Sequence, residues 1–564
     1  MSERWRRYAP TWLLRLAAFE ALALAWYWPA RYSGWVTDIL GLVPRLETAG
    51  LSGAWTGYGS PVFHPLTLGA HYLLWHGAGP QSLPYYLTWT LLHGLTAWMV
   101  AEGVRVAAGD LGLRRARESG WWAGLLFAVH PYVVEAVVWR ATLNYLLCVP
   151  LMLGACWGAY AFAKTGGRGG LLASVTLGGL ALLSFDLAWV TWALSGVAAL
   201  AGAHGGAAGA RRRRVGVVLS LQAIVLLGYL AAKTAVIGDA VGHYGAERHL
   251  NADPAIVLPN AWRQLTKLLF LTRQYGVEAK AGLTARLGEP AYYLSLTAAS
   301  LGLLVWWLVS AAPRSRRWYL AGLFGVATVV ALLPTANLYY YWLLHGENDR
   351  YSYLPATAAC AILALGLGAL PHRGIRVGAA AVLLVAYAYF NRVHVGEWVG
   401  GASVQAALID DFPRLPRGRV IALAAADNYC GTYLFRDANL PYTSLHSHLR
   451  FLRGRAPADT VENLVNFNQM HPGDSVAAWV NDRGEIELTF RQGGNWFWRG
   501  GIGLSDYERP GFRVTAGYPV RICFKDPLPT STTLLYPTGG TWTALPHAGL
   551  RTCAEVDARA AAAQ

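Results

Sequence analysis

Long apolar runs, separated by short arginine-rich loops, constrain this chain more than any other feature. A helix needs about 20 mostly apolar residues to cross a bilayer. Eleven stretches approach or meet that demand: 11–29, 84–104, 121–138, 143–163, 170–185, 187–203, 215–236, 291–311, 318–335, 353–370 and 374–391. Of the 564 residues, 54% are hydrophobic and only 14% are charged, well under the roughly 25% of soluble domains. The reading is a polytopic α-helical membrane protein, much of whose surface faces lipid. A net charge of +15 raises the question of nucleic acid. The basic clusters fall between apolar runs, however, which is the pattern of cytoplasmic loops rather than of a nucleic-acid interface.

Orientation follows from those clusters. With Arg4, Arg6 and Arg7 placed in the cytoplasm, alternation puts five further loops inside. They carry Arg105, Arg114, Arg115 and Arg117; Lys164 and Arg168; Arg211 to Arg214; Arg314, Arg316 and Arg317; and Arg373. Every predicted inner loop is basic, as the positive-inside rule requires. The segment Thr11 to Ala30 lacks a small-residue cleavage site and reads as a retained first helix. The outer side receives the loops 30–83, 237–290 and 336–352 and a tail from about 392.

The expected division is a membrane domain over 1–395 and a soluble, extracytoplasmic α+β domain over 396–564. Alternation in Glu485-Ile486-Glu487-Leu488-Thr489-Phe490 and Arg513-Val514-Thr515 marks strands in the tail. Cys148, Cys156 and Cys360 lie in apolar runs, as small core residues. In an oxidising compartment Cys430, Cys523 and Cys553 permit one disulfide with one thiol left over.

Polar groups beside spanning segments are costly and mark candidate sites. Asp38 follows the first span, either as the cap of a helix over 39–49 or as a carboxylate of a membrane-surface active site. Glu47, two and a half turns further on, falls on the opposite face and reads as solvated. His64-Pro65 and His130-Pro131 each put an imidazole at a helix end, where proline starts or kinks a helix. Glu135 follows, with Arg140 as a candidate ion-pair partner. A dense polar run, His345 to Tyr351, contains Asp349 and Arg350. The loop 237–290 is basic although it lies outside; its Arg248 and Lys267 are among the groups suited to an anionic partner. Ala261 to Leu271 within it has an amphipathic pattern.

Three motifs carry a resemblance. Phe63-His64-Pro65-Leu66-Thr67 with Leu92-His93-Gly94-Leu95 resembles the early part of C-type membrane glycosyltransferases. The run Leu126-Phe127-Ala128-Val129-His130-Pro131-Tyr132-Val133-Val134-Glu135 through Trp139, and Asp349-Arg350-Tyr351-Ser352-Tyr353-Leu354-Pro355, are more specific. Together they resemble the transmembrane O-mannosyltransferases that carry tetratricopeptide repeats, and their bacterial relatives. The resemblance covers roughly residues 10–400; the repeats are absent and a different tail follows.

It implies a C-type glycosyltransferase fold and a sugar donor linked to a polyprenyl phosphate. Transfer would go to a protein, lipid or glycan acceptor on the outer side of the membrane. In such families the first outer loop supplies a catalytic acidic residue; the matching position is Asp38, which would act as general base for the acceptor hydroxyl or orient it. Arg350 and Arg248 are the candidates for the donor phosphate, and His64, His130, Glu135, Asp349 and Tyr351 are expected to shape the site. No metal ligands or resident cofactor are assigned, and a divalent metal is not favoured. Arg and Ala richness points to a GC-rich genome and so to a bacterial inner membrane. The rival classes are a transporter or assembly factor for cell-surface polysaccharide, and an inactive glycan-binding relative.

Overall fold

The computed structural model describes residues 3–36, 38–59, 62–204, 208–240, 253–274, 278–279, 282, 285, 316–336, 349–413, 419–435, 445–453, 460–469, 473–490, 495–497 and 506–562. The span expected at 291–311, residues 345–348 and Arg248 lie outside the described residues. The chain divides into two compact units: Met1–Arg31 with Arg45–Val395, and Tyr32–Pro44 with Gly396–Gln564.

The described helices up to residue 411 are α1 (Glu3–Trp26), α2 (Asp38–Ala49), α3 (Pro65–Ala78), α4 (Ser82–Asp110), α5 (Ala116–Ala128), α6 (Val134–Val138), α7 (Leu143–Thr165), α8 (Arg168–Ser184), α9 (Thr191–Gly202), α10 (Ala208–Ile237), α11 (Pro254–Phe270), α12 (Arg316–Ala336), α13 (Tyr353–Ala369) and α14 (Arg373–Asp411). Hydrocarbon offers no partner for backbone N–H and C=O groups, so an apolar run that enters it must satisfy them internally, as a helix does. Among the described residues, five helical stretches are long and apolar enough to cross a membrane: Arg140–Thr165, Gly209–Ile237, Arg316–Ala336, Asp349–Ala369 and Arg373–Asp411. The chain is therefore built for a membrane.

Two expectations need correction. The run 121–138 is not one straight helix: α5 stops at Ala128, and the chain bends by 54° before Pro131–Val138. Proline at 131 disfavours the helical conformation in the residue before it, and His130 takes φ −63° and ψ 129°. The run 374–391 belongs to a helix of 39 residues, about 58 Å at 1.5 Å per residue. Nothing in Tyr389-Phe390-Asn391-Arg392-Val393 breaks a helix, so α14 continues to Asp411.

The arginines of the basic loops have a structural task. A helix leaves its last carbonyls without partners, and cations there also meet the negative end of the helix dipole. Arg115 donates to the carbonyl of Gly368 in the last turn of α13 and to those of Leu370 and Pro371 just beyond it, at 3.2, 2.6 and 3.2 Å. Arg214 donates to Ala163 and Lys164 at the end of α7, and Arg316 to Leu111 after α4. Small residues let helices close on each other. A Cβ on Gly158 of α7 would lie 2.5 Å from the main-chain nitrogen of Ser174 in α8.

The second unit contains two sheets. In the first, β1 (Arg419–Tyr429) is flanked in parallel by β10 (Thr533–Thr538) and β3 (Thr460–Gln469); β11 (Thr541–Leu545) and β6 (Asn495–Phe497) pair antiparallel at the two ends, and β2 (Thr432–Tyr433) pairs with β1. Val420 to Ala426 are fully buried, as a strand covered on both faces requires. The second sheet is antiparallel, ordered β4 (Val476–Val480), β5 (Ile486–Phe490), β9 (Val520–Phe524), β8 (Phe512–Thr515), β7 (Tyr507–Glu508). Ile486, Leu488, Val514, Val520 and Ile522 are buried in its core. The alternate residues Glu487, Arg513 and Arg521 lie on the other face, the two-residue period of a half-buried sheet. On that face the last helix (Cys553–Ala562) is tied down by the Cys523–Cys553 disulfide and by Arg513–Asp557 at 2.6 Å. Burial, with Glu397 and Asp474 nearby, pushes the Cys430 thiol up to about 11.

Residues 32–44 are held inside this unit. Gln405 of α14 donates to the carbonyls of Trp35 and Leu434 at 3.0 and 3.1 Å. Gly34 leaves room for it, since a Cβ there would lie 2.6 Å from the Gln405 amide oxygen. The Trp35 ring packs on Phe451 at 5.4 Å. Farther along α14, Trp542 of β11 donates its indole N–H to Leu408 and its main-chain N–H to Asp411, at 2.7 and 2.6 Å.

Two measurements test these packing arguments. Gly158→Leu drives side-chain atoms into α8 backbone and should destabilise the protein by about 1–3 kcal/mol. Gly216→Leu, where a Cβ meets nothing within 4 Å, should leave Tm unchanged; equal Tm for both refutes the close contact. Alkylation of Cys430 near pH 8 should run on the order of a hundredfold slower than for an ordinary thiol, with Cys523 and Cys553 labelled only after reduction. Peptide mass mapping reads both.

Candidate functional site

The candidate site starts at the bend after α5. His130 begins it: its Nδ1 accepts the main-chain N–H of Tyr132 at 3.2 Å, which leaves the proton of the neutral ring on Nε2. The His130 carbonyl accepts from Asn391 of α14 at 3.0 Å. Asn391 also donates to the Tyr27 hydroxyl at 2.8 Å and accepts from the Trp26 indole at 2.9 Å. The bend is thereby clamped to α1 and α14 of the same unit.

The single turn α6 presents Glu135, which is 1% exposed. One carboxylate oxygen accepts the main-chain N–H of Arg350 at 2.7 Å, and the other accepts from the Arg350 guanidinium at 2.6 Å. The guanidinium lies over the rings of Trp139 and Tyr351, at 4.9 and 4.8 Å from their centroids. It also donates to the Tyr351 hydroxyl at 3.3 Å. Next to Arg350 in the chain, Asp349 forms a buried ion pair with Lys267 of α11, and the Lys267 ammonium is 4.9 Å from the Tyr132 ring centroid. Two carboxylates and two cations thus balance in one buried group.

A second group centres on Asp186, in the turn between α8 and α9. It accepts from the Tyr229 hydroxyl and from Lys233 of α10, each at 2.7 Å. His64, which precedes Pro65 at the start of α3, places Nε2 3.5 Å from the same carboxylate. Lys233 is fully buried. Tyr145 joins the two groups: its ring packs on Phe185 at 4.7 Å and on Tyr351 at 6.4 Å.

Of the residues expected from sequence, His130, Glu135, Asp349, Arg350 and Tyr351 come together, and His64 falls in the neighbouring group. Glu135 pairs with Arg350 and not with the candidate partner Arg140. Trp139 takes the extended conformation after α6, and Arg140 instead donates to the Ser82 hydroxyl at 3.0 Å. Asp38 opens helix α2, on a segment of the second unit; its side chain lies outside the described residues. Glu47 is exposed on the same helix. Asp186, Tyr229 and Lys233 were not singled out as site residues. A lysine inside the apolar run of α10 was the available signal, because such a charge needs a partner. Lys267, in the basic outer segment, lies on α11 within the amphipathic stretch and is buried.

Such a constellation suits binding and orientation. Paired carboxylates hold the cations in place, and a bound anion would compete for them. No family model matches the chain, and no curated protein matches it significantly.

The pair Glu135–Arg350 makes a measurable claim. Removing either partner strands a buried charge, so Glu135→Ala and Arg350→Ala should each cost about 3–5 kcal/mol. The double variant should cost much less than the sum. Additive losses in an unfolding titration would show that the two side chains do not interact.

Proposed function

We propose that the protein is a C-type glycosyltransferase. In this reading it moves a sugar from a polyprenyl phosphate to a protein, lipid or glycan acceptor on the outer side of a bacterial inner membrane. One observation carries the reading. The motifs around His130–Trp139 and Asp349–Tyr351 resemble the same enzyme family, and they meet through Glu135 and Arg350, 215 residues apart in sequence. Eleven crossings, with the N-terminus in the cytoplasm and the tail outside, belong to the proposal. The arginine-capped helix ends support that orientation, and the Cys523–Cys553 disulfide supports an oxidising compartment for the tail.

In the proposed reaction Asp38 takes the proton of the acceptor hydroxyl. The acceptor oxygen forms a bond to the anomeric carbon as the bond to the donor phosphate breaks, with inversion. The polyprenyl phosphate leaves with the electron pair. Fixed cations stabilise that charge best when already oriented. Arg350 and Lys267 are held by Glu135 and Asp349, and Arg248 completes the proposed phosphate set. His64, His130 and Tyr351 keep this arrangement in register.

Purified wild-type and Asp38→Asn proteins, given a panel of polyprenyl-phosphate sugars and envelope acceptors, test the reading. The expected result is transfer by the wild type and a loss of about 10²–10⁴-fold in the variant, with donor binding retained. Donor binding without turnover across the panel would favour a transport or assembly role. Full turnover by the variant would remove Asp38 from the chemistry.

A further inference from the structure

Glu20, in the middle of the apolar run 11–29, has no partner among the described residues. It enters no ion pair, and its Oε2 is buried without a hydrogen bond. Other carboxylates of the first unit are served: Glu102, Glu135, Asp186 and Asp349 each hold a cation. Gly94 of α4 makes room for the Glu20 side chain. A Cβ there would lie 2.5 Å from Oε2 and 3.0 Å from the Glu20 Cα. The carboxyl therefore rests on bare backbone, and the residue as a whole stays half-buried.

The helix around it is open. α1 packs on α4 and α5, yet Leu13 and Leu14 are 50% and 69% exposed, and Ala17, Ala18 and Ala21 are exposed as well. Leu13, Ala17, Glu20 and Leu24 follow one another at steps of four, three and four residues, so they form one stripe along the helix. On α4, Leu91 lies one turn from Gly94 and is 41% exposed. The stripe thus borders a second open surface.

The inference takes α1 as the first of the proposed crossings and is independent of the transfer reaction. Hydrocarbon gives this carboxyl neither water nor a counter-ion, so it is carried as the neutral acid. A protonated carboxyl is donor and acceptor at once, and its natural complement is another protonated carboxyl. Acyl chains hold no group that answers it. Ionisable residues within spans pair with one another, small residues let a second helix approach, and a two-fold axis brings the same patch of two copies together. We propose that the protein forms a two-fold dimer in the membrane through the stripe Leu13, Ala17, Glu20 and Leu24. The two Glu20 carboxyls exchange reciprocal hydrogen bonds across the axis.

Oxidative cross-linking of the full chain in phosphatidylcholine vesicles tests it. Ala17→Cys should give a covalent dimer. Val382→Cys, at a position of α14 that is 70% exposed, should not. With Ala17→Cys, added Glu20→Leu should weaken the dimer on the order of tenfold as protein is diluted in lipid. Glu20→Gln, whose amide also pairs with itself, should retain it. No cross-link at Ala17→Cys, or one indifferent to Glu20→Leu, overturns the dimer. Carbodiimide labelling of the diluted wild type tests the crossing separately. A hydrophobic carbodiimide should modify Glu20 and a water-soluble one should not. The reverse pattern would put Glu20 in water and remove the crossing together with the dimer. Labelling from the lipid without a cross-link would remove the dimer alone.

Discussion

A charge buried among apolar helices is tolerated only when its partner is buried with it, and the membrane unit is arranged around that demand. Desolvating a carboxylate or a guanidinium costs several kcal/mol per ion. The pairs Glu135–Arg350, Asp349–Lys267 and Asp186–Lys233 therefore do little for stability compared with apolar residues of the same size. Their value is positional. Glu135 accepts two hydrogen bonds from Arg350, one from the main chain and one from the side chain, so it fixes backbone as well as charge. Trp139 and Tyr351 pack against the Arg350 guanidinium, and Tyr145 packs between Tyr351 and Phe185.

The two kinds of helix end divide the work. At one kind, arginines close off carbonyls that would otherwise lack partners. At the other, His64, His130, Glu135, Asp186 and Asp349 gather at bends and helix starts, where proline or a short turn frees the chain from helical geometry. Lys233 and Lys267 reach these groups from within α10 and α11, while the groups themselves sit where the backbone bends or a helix starts. In a membrane a departure from the helix is tolerated only when it is buried in protein or lines a cavity.

How far this was legible in the sequence differs by level. Apolar run length located α1, α4, α5, α7 to α10 and α12 to α14 but not α3 or α11, and two-residue alternation located β5 and β8. The bend at His130 was written in His130-Pro131 but was outweighed by the apolar run that continues to Val138. The far reach of α14 has no stop signal to contradict it, and the apolar stretch ends well before the helix does. His64 and His130 were visible beside proline, Glu135 soon after the second, and Asp349, Arg350 and Tyr351 in a dense polar run. Their pairing was not, because Glu135 has a charged neighbour five residues away and its real partner 215 away. Arg140 is carried off by the extended Trp139, a backbone choice that no local pattern announces. Asp186 and Lys233 illustrate the same limit: each looks like an isolated polar residue until the helices are packed.

The attachment of residues 32–44 to the second unit bears on how this protein can change over evolutionary time. Gln405, Trp35 and Phe451 make the stretch that carries Asp38 a component of the tail, although it lies more than 350 residues earlier in the chain. The tail is thus not a cassette that recombination could exchange at its own boundary. A new tail would arrive without the surface that seats the early segment. Variation in residues 32–44 should therefore follow variation in α14 and the strands beyond it more closely than it follows that of its immediate neighbours in sequence.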